Sequence, residues 1–374
     1  MHPLRISPLA AAGGGAFLLG FAVLAVMAPL ATYTVTLAVF GLPHVLSELR
    51  YVDRRFGRRM ERRFLLPIIV LLPLIVAIRA SVVFHLLPPD IGFPAELGLV
   101  ALLALACARG PGGRTLLALL VGGTIGGATA IAPYATAVTL SICHNLTPLG
   151  FLWQIAPPAR RGRVMLCAAA AFLGLPLLVA SGWPGAALHA AFGAASGIDP
   201  LQAGPLAAQL FVYVPPPFFD TPRAVDLFTA SVVAQGAHYA TVIVILPLLL
   251  GRLDGQARGL VAWPPGRVFA ALCVAAGAVS LARFLGGFAE ARALYGVAAS
   301  VHAWIEIPVL ILALTGGAQP SSQSPKANDP ALAMSETTSA RSMRSPAIQA
   351  MRPASASTTM ASAPMTGGQY GKRG

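Results

Sequence analysis

Apolar runs of about twenty residues recur along this chain from Ala10 to Leu314, and that repetition leaves few folds open to it. A helix needs roughly 20 residues to cross about 30 Å of hydrocarbon. The runs fall at 10–29, 31–49, 64–87, 95–108, 115–132, 134–157, 164–182, 225–250, 268–286 and 293–315, so the expected fold is all-α, a polytopic integral membrane bundle of about ten transmembrane helices. With 56% hydrophobic and 10% charged residues, the chain is too apolar for a soluble domain. The first run leads straight into a second, so a retained helix is expected there rather than a cleaved signal peptide.

A formal net charge of +13 would suit nucleic acid, but its placement argues for orientation in a membrane instead. All the basic residues except Lys326 and Lys372 are arginines, and they crowd alternate connections. Arg50, Arg54, Arg55, Arg58, Arg59, Arg62 and Arg63 follow the second run, Arg109 and Arg114 the fourth, Arg160, Arg161 and Arg163 the sixth, and Arg252, Arg258 and Arg267 the eighth. The intervening connections hold few bases. Arginine excess marks cytoplasmic loops, so both termini are expected in the cytoplasm of a bacterial-type inner or plasma membrane, with the bilayer as partner and no nucleic acid. The sequence leaves the oligomeric state open.

Two segments break the pattern. Residues 183–222 are rich in Gly, Ala and Pro and end in Pro215-Pro216-Pro217-Phe218-Phe219-Asp220, which no regular span tolerates; an outer loop with a short amphipathic or re-entrant segment is expected. The division is therefore a transmembrane helical domain over 1–316 and a Ser-, Ala-, Pro- and Thr-rich cytoplasmic tail over 317–374, too polar to bury a core and expected to be disordered. Cys107, Cys143, Cys167 and Cys273 all fall in apolar stretches without metal or disulfide spacing, and read as buried thiols.

The informative residues are the few ionisable groups inside the runs, because each is costly in hydrocarbon unless it pairs, binds something or lines a cavity. His44 and Glu48 stand four apart near the end of the second run, on one helix face. His302 and Glu306 repeat that spacing in the last. His144 lies near the middle of the sixth run, in Cys143-His144-Asn145-Leu146-Thr147-Pro148, and His238 near the middle of the eighth, in Gln235-Gly236-Ala237-His238-Tyr239. Neutral imidazole is a common metal ligand whose second nitrogen needs an orienting acceptor. His44, His144, His238 and His302 are therefore the candidate metal ligands, with Glu306 and Glu48 as candidate catalytic carboxylates, either ligand or proton acceptor. His85 and His189 read as interfacial and structural. Arg79 and Arg283 lie toward the outer ends of their runs, placed to snorkel or to pair with an anion.

Histidines with one or two glutamates suit Fe, Mn, Zn or Cu, and mid-membrane placement suits a lipophilic small-molecule substrate entering from the bilayer. Oxygenation by Fe(II) fits best, since an apolar cavity keeps water from reactive species. The closely spaced histidine boxes of membrane di-iron desaturases are absent. Phe40-Gly41-Leu42-Pro43-His44, followed by isolated intramembrane histidines and by Gln235-Gly236-Ala237-His238-Tyr239 leading to Pro247, resembles the Brp/Blh membrane proteins. Where that family's first motif usually continues with Gly-Ala and an Asp, this chain has Val45, Leu46, Ser47 and Glu48. The resemblance implies iron-dependent cleavage of a carotenoid, a β-carotene dioxygenase activity, with His44 as an iron ligand. From the residues themselves three other readings stay open: a proton- or ion-coupled transporter using the His/Glu pairs, bis-histidine haem ligation, and a non-catalytic membrane helper whose polar groups tie helices together.

Overall fold

The computed structural model describes residues 8–110, 112–193, 197–253 and 259–315. Among these the chain is all-helical, without a strand. Eight helices are long and apolar enough to cross a membrane, as an integral membrane protein requires. Their outward faces are apolar as well: Leu66, Ile69, Leu116, Leu166 and Val274 are all more than 60% exposed, which suits hydrocarbon and would be a liability in water. The expected tail, 317–374, lies outside the described residues.

The helices run α1 (Pro8–Met27), α2 (Pro29–Phe56), α3 (Arg62–Val83), α4 (Pro89–Ala106), α5 (Gly112–Ile131), α6 (Pro133–His144), α7 (Pro148–Ile155), α8 (Pro158–Ala169), α9 (Leu175–Ala180), α10 (Trp183–Phe192), α11 (Ala224–Ala240), α12 (Leu246–Leu253), α13 (Gly266–Gly286) and α14 (Phe288–Thr315). Five-residue π-helical stretches join α8 to α9 and α11 to α12, so each of those pairs is one interrupted rod. The span expected at 134–157 is broken into α6 and α7. Pro148 has no N–H to offer the carbonyl of His144; the Thr147 N–H and hydroxyl bond that carbonyl instead, at 3.1 and 2.8 Å. Within the described part of 183–222 the chain forms α10 and two 3₁₀ turns.

The arginine-rich connections meet at one end of the bundle. Asp53 accepts from the backbone N–H groups of Leu260 and Val261 and from Trp263 Nε1, Arg50 donates to the Pro264 carbonyl, and Arg55 donates to Gln154. At the other end Tyr134 donates to the Phe211 carbonyl, His189 bonds the Val26 carbonyl, and Arg292 donates to Gln209. His189 thus is structural, and His85 is exposed as expected.

Helices α2 and α14 run parallel and in register through the centre: Tyr33 meets Phe288, Gly41 lies against Tyr295, and His44 meets His302. A third helix closes on α2 at Gly277 of α13, where an added Cβ would stand 2.7 Å from the Val39 carbonyl oxygen. Pro43 deprives that same carbonyl of its helical partner, so α13 packs against a bared stretch of α2 backbone one turn from His44. The apolar core falls into two clusters. One holds Tyr33, Leu37, Val233 and Phe288, the other Tyr51, Val242, Leu246 and Val309. Between them, on the same helices, lie His44, Glu48, His238, His302 and Glu306, all at most 1% exposed. A polar layer therefore divides a core that hydrophobic burial alone would make continuous.

Candidate metal centre

Four helices deliver six ionisable side chains to this layer. Helix α2 presents His44 and Glu48, α14 presents His302 and Glu306, α6 ends at His144, and α11 carries His238 just before its π-helical turn. A π-bulge rotates the residues beside it relative to a regular helix and is frequent at functional sites. The spacing of four puts each Glu about 6 Å along the axis from its His. Because α2 and α14 are parallel, the two histidines share one level and the two glutamates the next, nearer the arginine-rich end.

Two sets of donors result. His44, His144 and His302 form one, Glu48, His238 and Glu306 the other, and within each set one ligand atom per residue lies within 4.8 Å of the others. Each set is arranged so that it could hold a metal ion. The rings of His144 and His238 are 4.7 Å apart between centroids, and those of His44 and His238 5.5 Å, so the sets adjoin.

The tautomers of His44 and His144 follow from what the other ring nitrogen meets. His44 Nδ1 lies 3.2 Å from the Phe40 carbonyl oxygen and can only donate to it, which leaves Nε2 as a lone pair. His144 Nδ1 lies 2.6 Å from Glu306 Oε2; with Glu306 ionised, that nitrogen also donates and its Nε2 is a second lone pair. Between them stands His302 Nε2, 2.9 Å from His44 Nε2 and 3.2 Å from His144 Nε2. A neutral His302 has at most one proton there. It satisfies one neighbour and leaves a lone pair facing a lone pair at the other, while its Nδ1 makes no hydrogen bond of good geometry. A cation among the three nitrogens removes the conflict. Metal–nitrogen bonds of about 2.0–2.1 Å at angles between about 90 and 109° place ligand nitrogens about 2.9–3.4 Å apart, the spacing of His302 Nε2 from each of the other two.

Glu306 is held from two sides, by His144 and by the Thr147 hydroxyl, which is 2.7 Å from Oε1. A carboxylate behind a ligating histidine fixes its tautomer and raises its basicity. In the second set, Glu48 Oε2 and His238 Nε2 face one another at 3.5 Å, beyond a good hydrogen bond. Neither oxygen of Glu48 and neither ring nitrogen of His238 has a hydrogen-bond partner of proper geometry, though both side chains are fully buried. On the side away from the arginines, Tyr239 stacks on His44 with centroids 4.3 Å apart and accepts from Gln235, which in turn accepts from Tyr213.

All four expected histidines and both glutamates thus come together. One buried charge escaped the sequence reading. Glu96 of α4, 1% exposed, accepts a bond from Arg79 Nη2 at 2.8 Å and one from Trp304 Nε1 at 2.9 Å, and its second oxygen stands 2.8 Å from Arg79 Nε in an ion pair. Its run was drawn from residue 95, which left Glu96 at the rim, whereas α4 begins at Pro89. Arg79 therefore pairs rather than snorkels, while Arg283 is exposed. The reading of four buried thiols is corrected for two: Cys143 and Cys167 are exposed, on helix faces turned outward.

Compared with family models, with curated proteins and with solved structures, the chain matches none.

Proposed function

We propose that this protein is a metal-dependent oxidoreductase of the membrane, holding non-haem Fe(II) at His44, His144 and His302 and oxidising a lipophilic, carotenoid- or lipid-like substrate. The observation that carries the reading is the convergence of three imidazole Nε2 atoms, with those of His44 and His144 both presenting lone pairs to His302. Imidazole suits iron, zinc and copper alike. Iron is preferred because three facial nitrogens leave positions open for O2 and substrate, and because the polar layer lies deep between two apolar clusters, where a hydrocarbon chain arriving from the bilayer stays shielded from water. Cleavage of a carbon–carbon double bond by O2 is the reaction class that needs least else: both oxygen atoms end in two carbonyl groups, and no external reductant is consumed. The resemblance of Phe40–His44 to the Brp/Blh motif points the same way. The arginine-rich end then faces the cytoplasm, and the bundle crosses the membrane about ten times.

Glu306 orients His144, and Tyr239, Gln235 and Tyr213 form a hydrogen-bonded chain beside His44. The experiment is an oxygen-uptake and product assay in nanodiscs containing β-carotene. Iron-loaded protein is expected to form carbonyl products at a rate at least 100-fold above His144→Ala. Equal activity in metal-free protein contradicts the proposal.

The aligned His/Glu pairs also support a second reading, a proton-coupled transporter in which Glu48 and Glu306 carry the protons. It predicts uptake of solute by metal-free proteoliposomes, driven by a pH gradient and lost in Glu48→Gln.

A further inference from the structure

The three-histidine set leaves Glu48 and His238 without a task, yet both are ionisable and have no exposed surface. A buried carboxylate without partners costs several kcal/mol. Four atoms here, both oxygens of Glu48 and both ring nitrogens of His238, lack hydrogen bonds of good geometry. Their neighbour Glu306 brings a second carboxylate to the same place, since one ligand atom each from Glu48, His238 and Glu306 lies within 4.8 Å of the others. Two carboxylates at this distance repel if both are ionised. A divalent cation between them offsets both charges and gives Glu48 and His238 closer bonds than their mutual 3.5 Å contact. The bonds Glu306 already receives from His144 and Thr147 do not preclude this, because an ionised carboxylate has about four acceptor sites.

We propose that Glu48, His238 and Glu306 form a second divalent-metal subsite beside the three-histidine one, so that the bundle holds a dinuclear centre. The inference rests on the metalloenzyme reading but assigns new roles to these residues. The pairing of the subsites is built into α2 and α14: each contributes His to one and Glu to the other at a spacing of four, and their parallel, in-register packing keeps the levels aligned. His144 links the levels, its Nε2 facing the histidines and its Nδ1 the Glu306 carboxylate. The subsites also differ in kind, one all imidazole and neutral, the other carrying two formal negative charges. Oxygen-rich sites favour harder cations such as Mn(II), so the second subsite is expected to accept Mn(II) more readily than the first.

Anaerobic equilibrium dialysis of the purified, metal-depleted full chain against Fe(II), and separately Mn(II), tests this. The wild type is expected to bind two Fe(II) per chain; Glu48→Gln and His238→Gln are expected to bind one, and their retained equivalent shows that they are folded. With Mn(II), electron paramagnetic resonance of the filled wild type is expected to show the multiline pattern of two coupled ions, replaced by an isolated-ion spectrum in Glu48→Gln. Saturation of the wild type at one Fe(II), unchanged in both variants, overturns the second subsite and leaves the histidine one standing. Binding of two by the variants also overturns it. Binding of none by the wild type overturns both.

Discussion

Replacing His302 by Ala is expected to empty the three-histidine subsite. Iron content should fall by one equivalent per chain, leaving only what Glu48, His238 and Glu306 hold, measured by inductively coupled plasma mass spectrometry on detergent-purified protein. The reason lies in the order of the three nitrogens: His302 Nε2 is within 3.2 Å of both His44 Nε2 and His144 Nε2, so it occupies the middle position. Loss of an outer partner of a ligand costs about 10–100-fold in affinity; loss of the middle ligand of three should cost more. The variant should still fold, because the neutral Ala also removes the contact in which two lone pairs oppose one another. If His302 served only to tie α14 to α2, the His302→Gln variant, able to donate and accept, would retain full function, and the metal content of the wild type would be nil. An iron content in His302→Ala equal to that of the wild type contradicts the assignment.

The second large effect concerns stability. Glu96→Leu is expected to destabilise the bundle by about 3 kcal/mol, the lower part of the range for breaking a buried ion pair, because the Arg79 side chain is 26% exposed and so keeps some solvation. The loss has two parts. Arg79 is left charged and unpaired near hydrocarbon, and Trp304 Nε1 loses its acceptor. Thermal unfolding in detergent should show the drop, and Arg79→Leu combined with Glu96→Leu should recover more than half of it, since a matched apolar pair leaves no orphaned charge. Trp304 lies between His302 and Glu306 on α14, so Glu96→Leu should also lower metal occupancy. A double variant no more stable than the single one would show that the pair does not hold α3 and α4 together.

The residues of the candidate centre were legible in the sequence because hydrocarbon makes ionisable groups conspicuous. The spacing of four in His44/Glu48 and His302/Glu306 placed each pair on one helix face before any fold was known. Their convergence was not legible. It depends on α2 and α14 being parallel and in register, and on Pro148 ending α6 so that the ring of His144 turns into the bundle; spacing along one chain carries neither fact. The two layers, imidazoles at one level and carboxylates at the next, follow from that same register. Glu96 was missed for a simpler reason. It stands within the first two turns of α4, close to Pro94 and Asp90, where a span boundary drawn by hydropathy alone assigns it to the interface. The exposure of Cys143 and Cys167 shows the opposite limit: in a membrane bundle an apolar setting marks the lipid-facing side as readily as the core, so apolar neighbours do not establish burial.

Three imidazole nitrogens, with no room for three protons among them, are proposed to surround a cation. Iron K-edge X-ray absorption of the purified wild-type protein tests it most directly. The expected spectrum shows iron bound by several nitrogen or oxygen atoms at about 2.0–2.2 Å, with the outer-ring scattering characteristic of at least three imidazoles, and loss of that signal in His302→Ala. Folded, active protein free of metal, or iron whose spectrum carries no imidazole scattering, would contradict it.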